Sequence, residues 1–162
     1  MWIPLLWLFI LLSPPSLALE SDQQQPLYLE ADDAELDENR AISIYKGHVL
    51  IRQGTLEIHA DQVTIYHRED RQPERIVALG NPATYRQALE GETRPLRAQA
   101  QRMEYLTEKD EIILIGQAVV YQGEDSFRND RIVYDRAHAR VKAGAQVQGK
   151  ERVRILIHPD QR

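Results

Sequence analysis

The sequence predicts an all-β protein built from about four repeated antiparallel strand units. Three observations lead there. The chain matches itself in four places, its apolar residues fall into columns spaced by two, and those columns are rich in β-branched and aromatic side chains.

The repeat starts at Ala31-Asp32-Asp33-Ala34-Glu35-Leu36 and returns as Ala60-Asp61-Gln62-Val63-Thr64-Ile65, Ala100-Gln101-Arg102-Met103-Glu104-Tyr105 and Asn129-Asp130-Arg131-Ile132-Val133-Tyr134. The starts lie 29, 40 and 29 residues apart, and each unit then reaches a glycine: Gly47, Gly80, Gly116 and Gly144. The longer second unit carries its extra residues in two polar stretches, 67–74 and 88–95, where loop tips absorb insertions at little cost. Three residues past each start stand Ala34, Val63, Met103 and Ile132; five past stand Leu36, Ile65, Tyr105 and Tyr134. Three before each glycine stand Ile44, Val77, Ile113 and Val141, and three after it Leu50, Ala83, Val119 and Val147.

In chain order the first strand is Pro26–Glu30, with Leu27 and Leu29 on one face and Tyr28 and Glu30 on the other. Residues 98–106 contain good helix formers, but their repeat partners at 58–66 and 127–135 read as strands, and the column decides. Turns are expected at Asp37-Glu38-Asn39, Gly80-Asn81-Pro82 and Gly123-Glu124-Asp125. The last strand alternates Val153, Ile155 and Ile157 with Arg152, Arg154 and Leu156 before Pro159 halts pairing. The sum is a dozen or more short strands with one apolar face each. Such faces are covered by a second sheet or by closure, so a β-sandwich or jelly roll follows.

Residues 3–12 form an uncharged apolar run too short to span a bilayer, followed by Ser13-Pro14-Pro15 and then Ser16-Leu17-Ala18 with small residues at −3 and −1. Residues 1–18 therefore read as a secretory signal peptide cleaved after Ala18, although no Lys or Arg precedes the run; a retained anchor is the competing reading. That leaves one domain over 19–158 and a tail at 159–162. The formal charge of −5 argues against a nucleic-acid partner. With no cysteine there are no disulfides, Cys-ligated zinc, iron–sulfur clusters or thiol nucleophiles.

His59 and Asp61 share a strand face with His67 nearby, a trio that could hold a metal or serve acid–base chemistry. Asp61 recurs with Asp32 and Asp130 at unit starts, which favours a structural corner. No G-x-S-x-G, Walker A or H-E-x-x-H motif is present, so neither enzyme chemistry nor a metal or cofactor is expected.

The run Tyr45-Lys46-Gly47-His48-Val49-Leu50-Ile51-Arg52-Gln53-Gly54-Thr55-Leu56-Glu57-Ile58-His59-Ala60-Asp61, with Gly80-Asn81-Pro82-Ala83-Thr84-Tyr85 after it, resembles the OstA-like, LptA family of lipopolysaccharide-transport proteins. The likeness spans roughly residues 26–157. It implies an open, twisted β-jelly roll in the periplasm that binds lipid A chains between its sheets and stacks end to end with similar rolls. Implied partners are lipopolysaccharide, an inner-membrane-anchored LptC-like protein at the N-terminal edge, an LptD-like outer-membrane protein at the C-terminal edge, and further copies of the chain. The soluble bridge component fits best; an LptC-like accessory or a lipid-free β-adaptor is the alternative.

On that resemblance Leu27, Leu29 and Tyr85 match groove positions, and the repeat columns add Leu36, Ile44, Leu50, Ile65, Val77, Tyr105 and Ile113 as groove candidates. Leu27, Tyr28 and Leu29 form the first partner edge, and Val153, Ile155 and Ile157 the second. Where the family has a basic residue after the second unit's first strand, His67 and Arg68 stand here. Arg52, Arg75 and Arg97 are candidate head-group contacts. A carrier of this kind needs an apolar trough with no closed end.

Overall fold

The computed structural model describes residues 20–159; the signal-peptide reading of 1–18 and the last three residues of the tail lie outside them. A single helical turn, α1 (Glu20–Gln23), precedes β1 (Leu27–Glu30), β2 (Asp33–Asp37), β3 (Ile42–Gln53), β4 (Leu56–His67) and β5 (Pro73–Gln87). Then come β6 (Leu96–Leu106), β7 (Glu111–Gln122), β8 (Asp125–Asp135), β9 (Arg140–Ala143) and β10 (Arg154–Leu156). They make one antiparallel sheet in the order β1-β3-β4-β5-β6-β7-β8-β10, with β2 beside β3 and β9 beside β8. The segment with good helix formers is strand β6, as its repeat column requires.

Each long strand carries an irregularity at the same level. Pairing slips between Lys46 and Val49, His59 and Gln62, Leu79 and Ala83, Gln99 and Arg102, and Ile115 and Ala118. These bulges adjoin one another and cross the sheet as one seam. Extra residues bend a strand without ending its ladder, so the sheet folds into two walls. The first wall holds β1, the halves of β3–β8 that contain Ile51, Ile58, Tyr85, Ala98, Val120 and Phe127, and β10. The second holds β2, the remaining halves of β3–β8, and β9.

The repeated unit is thus one lap of the roll. Its start residues Asp32, Asp61, Gln101 and Asp130 and its glycines Gly47, Gly80 and Gly116 all fall at the seam. There Gly47 and His48 (φ 77° and 45°) and Gly116 and Gln117 (φ 81° and 48°) adopt paired left-handed conformations. Seam carboxylates and amides hold loose backbone: Asp130 accepts from the N–H groups of Lys150 and Glu151, and Asn129 Oδ1 from those of Arg131 and Gly144. That gives the recurring unit-start Asx residues a corner role.

Two expectations are corrected here. Gly80-Asn81-Pro82 is no turn but the seam crossing inside β5. The dozen short strands are ten, because six of them, of 11–15 residues, run through both walls. The other two turns are close to expectation, at residues 38–41 and 123–124. Hairpins on the second wall share one device: Ala41, Arg71, Asp110 and Ala139 each take a positive φ after an i→i+3 bond.

Side chains from both walls form a single core cluster, with Val49, Ile51, Tyr85 and Val120 facing Val63, Ile65, Met103, Leu114 and Ile132. The seam predicts its own sensitivity. A Cβ at Gly116 would sit 2.5 Å from Gln101 Oε1 on a backbone at φ 81°. Gly116→Val should therefore lower stability by about 1–3 kcal/mol, read as a lower urea midpoint with unchanged slope. An unaltered midpoint would contradict the seam's role.

Candidate functional site

Strand alternation sends one row of side chains inward from each wall. On the first wall the row is Leu29, Ile51, Ile58, Tyr85, Ala98, Val120, Phe127 and Ile155, each opposite the next across a strand pair. On the second it is Leu36, Ser43, Ile65, Ile76, Tyr105, Ile112, Tyr134 and Val141. Both rows run from one edge of the sheet to the other, and only Ser43 interrupts their apolar or aromatic character.

Between the rows lies a cavity of about 440 Å³ on the β1 side of the roll. Leu27, Leu29, Ile58 and Tyr85 line it from the first wall, and Ile65, Met103, Tyr105 and Ile112 from the second. Around it the walls pack on fully buried side chains, Val49 and Val63 on β3 and β4 and Leu114, Val120 and Ile132 on β7 and β8. Of the trough expected to be open at both tips, this cavity forms the part beside β1.

Five of the groove candidates, Leu27, Leu29, Ile65, Tyr85 and Tyr105, line this cavity together. Leu36 belongs to the inward row but projects past the rim on edge strand β2 and is 70% exposed. Ile44, Leu50, Val77 and Ile113 are corrected to the outer face. Ile44, Val77 and Ile113 lie on one outer ladder with Thr64 and Glu104, and Leu50 pairs with His59 on another. Counting from glycines placed them one residue out of phase. Outer positions are covered as well, Ile44 and Ile113 in part and Val77 almost fully at 4% exposed, and they favour β-branched residues, so composition did not reveal the face.

The three candidate arginines also lie outside. Arg52 pairs with Glu57, Arg75 stacks on Tyr66, and Arg97 stacks on Tyr121. His59 contacts Glu57, whereas His67 contacts Ser43, so the suspected trio does not converge; among the described residues no cluster of three potential metal ligands forms. Arg68 reaches Glu108 on the far hairpin.

The cavity has a polar lip that the sequence reading missed. On the first wall Asp22 of α1 is buried and accepts from Thr55 N–H (2.9 Å), Thr55 O–H (2.6 Å) and the Gln87 amide (3.0 Å). Tyr85 donates to Gln87. Burial works to raise the Asp22 pKa, but these hydrogen bonds and the charge of Arg136 leave it below its ordinary value. Facing it from the second wall, buried Arg136 pairs with Asp110 at 3.1 Å beneath the ring of Tyr105, whose hydroxyl also donates to Asp110 at 2.9 Å. Burial pushes the Tyr105 phenol up to about 12. The alternation Ile132, Tyr134, Arg136 marks Arg136 as inward-facing; no sequence signal marks Asp22.

At the sheet's two ends the ladders stop on unpaired edges. β1 pairs only with β3 and β10 only with β8, and Tyr28, Val153, Ile155 and Ile157 are exposed there.

Comparison with known proteins bears on this geometry. Residues 28–140 match the family described as LptA/(LptD N-terminal domain) LPS transport protein. The lipopolysaccharide export system protein LptH of Pseudomonas aeruginosa is 32% identical over 152 residues, covering 91% of this chain and 87% of that protein. LptA of Escherichia coli K12 is 30% identical over 146 residues, 90% of this chain and 78% of that protein. The crystal structure of LptH, titled the LptA-homologous periplasmic component of the lipopolysaccharide transport device of Pseudomonas aeruginosa, superposes with a TM-score of 0.76 at 30% identity. It covers 86% of this chain and 99% of that one.

The Asp22 cluster predicts a pH effect. Because folding lowers this carboxyl's pKa, the stability it adds is full above the unfolded value of about 4 and is lost as pH falls through the lowered value. Asp22→Asn should therefore cost about 1–3 kcal/mol at pH 7, and its urea midpoint should approach that of the wild type below about pH 4. A gap that stays constant down to the acid transition would contradict an ionised Asp22.

Proposed function

The chain belongs to the LptA/LptD N-terminal-domain family of lipopolysaccharide-transport proteins, and from that membership we propose that it is a periplasmic carrier holding lipid A acyl chains between the walls of its roll. The observation that carries this reading is the pair of inward apolar rows that run edge to edge and stand apart on the β1 side. An acyl chain in water costs roughly 0.8 kcal/mol per CH₂, or on the order of 10 kcal/mol for a long chain. An apolar groove with a wet exterior offsets that cost.

The packed side chains between the walls set a condition on transit. Tips of the two walls are free, because the walls are continuous only at the seam, so a chain moving toward β10 must part Leu114, Val120 and Ile132 rather than slide through a ready channel. Acyl burial along the rows replaces the packing that these side chains give up as they part. The acidic net charge means that long-range attraction of anionic lipid contributes little.

The edges supply the connections. The β1/β2 end would receive an LptC-like roll of the inner membrane, and the β9/β10 end an LptD-like outer-membrane partner or another copy of the chain. Each adds a strand to an unpaired ladder. Leu27, Leu29, Ile65, Tyr85 and Tyr105 would contact lipid; Tyr28 at one edge and Val153, Ile155 and Ile157 at the other would meet partners.

The experiment is extraction of labelled lipid A from micelles by the purified mature protein. Leu27→Asp with Leu29→Asp should reduce extraction at least about tenfold, since two carboxylates enter an apolar path, with the circular dichroism of the fold retained. Undiminished extraction would remove the lipid from the β1 mouth. Failure of the wild-type protein to extract lipid while it still joins its partner rolls would favour the lipid-free adaptor.

A further inference from the structure

The two ends of the sheet carry opposite charge. From Glu20 to Asn39, the stretch that holds β1 and β2, there are eight carboxylates and no Lys or Arg. From Arg140 to Leu156, which holds β9 and β10, there are five Lys or Arg and one carboxylate. Strand alternation puts Glu30, Glu35 and Asp37 on the outer face at one end, and Arg140, Lys142 and Arg154 on the outer face at the other. Little within the roll neutralises them. The Arg40 guanidinium lies 4.0 Å from Asp37, Lys46 stands opposite Asp33, and Asp135, opposite Arg140, already contacts His138. Among the described residues Glu30, Glu35, Lys142 and Arg154 form no ion pair. Arg154 stands directly across from Arg128, and like charges so placed weaken a sheet.

Strand direction and spacing make these ends fit one another. Directions alternate from β3 to β8; β1 and β2 run opposite to β3, and β9 and β10 opposite to β8. The two ends of the sheet are therefore antiparallel to each other. Inward Leu29 and Leu36 stand seven residues apart, as do Ile58 and Ile65 on β4 and Phe127 and Tyr134 on β8. The β1/β2 end thus repeats the spacing of the strands that pair with β3 and β7. Set beside β9 and β10 of a second copy so that both inward rows continue, Leu29 meets Ile155 and Leu36 meets Val141. The same register pairs Glu30 with Arg154, Glu35 with Lys142 and Asp37 with Arg140 on the outer face. Exposed Tyr28 then covers exposed Leu156.

Building on the end-to-end stacking proposed above, we propose that the β1/β2 end takes the β9/β10 end of a second copy of this chain, and that these three carboxylate–cation pairs set the direction and register of the joint. Joining like ends sets carboxylate against carboxylate or cation against cation, which opposes strand pairing. The pairs are exposed, so they select the arrangement more than they add affinity, and salt weakens them.

The test is sedimentation of the mature protein over a series of concentrations. Raising the salt from about 0.05 to about 0.5 M should weaken self-association of the wild type at least about threefold. Glu30→Lys with Glu35→Lys places cations at both ends, and Lys142→Glu with Arg154→Glu places carboxylates at both. Each double variant should associate at least about tenfold more weakly than the wild type. All four substitutions in one chain restore every pair with two of the three exchanged in sign, and association should return to within about threefold of the wild type. That recovery also shows the substituted chain to be folded, and the salt series on the wild type needs no variant at all. Association indifferent to salt, a double variant that associates as the wild type does, or a quadruple variant no better than the doubles would each overturn the charge pairing while stacking stands. A wild type that stays monomeric throughout would remove stacking of copies and this inference with it, whereas lipid carriage is decided by the extraction assay.

Discussion

One constraint organises this molecule: the sheet must bend at a single level without breaking its ladders. Every long strand meets that demand in the same place, through a bulge between paired residues, and the Asx and glycine positions of the repeat are the residues that tolerate it. Were the bulges scattered, the sheet would twist but not fold, and the two apolar faces would have nothing to cover them. Because they are aligned, the interior rows of both walls become parallel rails.

The same geometry explains why the roll can carry cargo and still be stable. Toward β8, fully buried Leu114, Val120 and Ile132 anchor the walls to each other with ordinary core packing. Toward β1 the walls diverge around the cavity, and the lip is held by hydrogen bonds from Thr55 and Gln87 to Asp22 and by the Arg136–Asp110 pair. The edge strands at either end, which on a solitary protein would be hazards, would serve as joints in the proposed stacking of similar rolls.

What the sequence revealed followed from what its repeat measured. Columns counted forward from the unit starts, such as Val63, Met103, Ile65 and Tyr105, landed on the inward rows because the seam bulge just after each start shifts the alternation by one, so that the third and fifth residues face inward. Columns counted back from the glycines, such as Ile44, Val77 and Ile113, landed outside. The inward positions are the second and fourth before each of those glycines, and Val or Ile suits either covered face of the strand. The hairpins of the second wall escaped in part because Ala41, Arg71, Asp110 and Ala139 occupy left-handed positions that glycine or asparagine usually announces. The polar lip escaped because it joins Asp22 of α1, Gln87, Asp110 and Arg136, which are scattered from one end of the described chain to the other.

The account stands or falls on which face meets the lipid, and neighbouring residues of the same wall can report it. A photo-crosslinking residue placed at Leu29 or Tyr85, on the inward rows, should yield lipopolysaccharide adducts in cells, whereas the same residue at Leu50 or Thr84, on the outer ladders, should not. Adducts at all four positions, or at none, would contradict a groove between the walls as the path of the acyl chains.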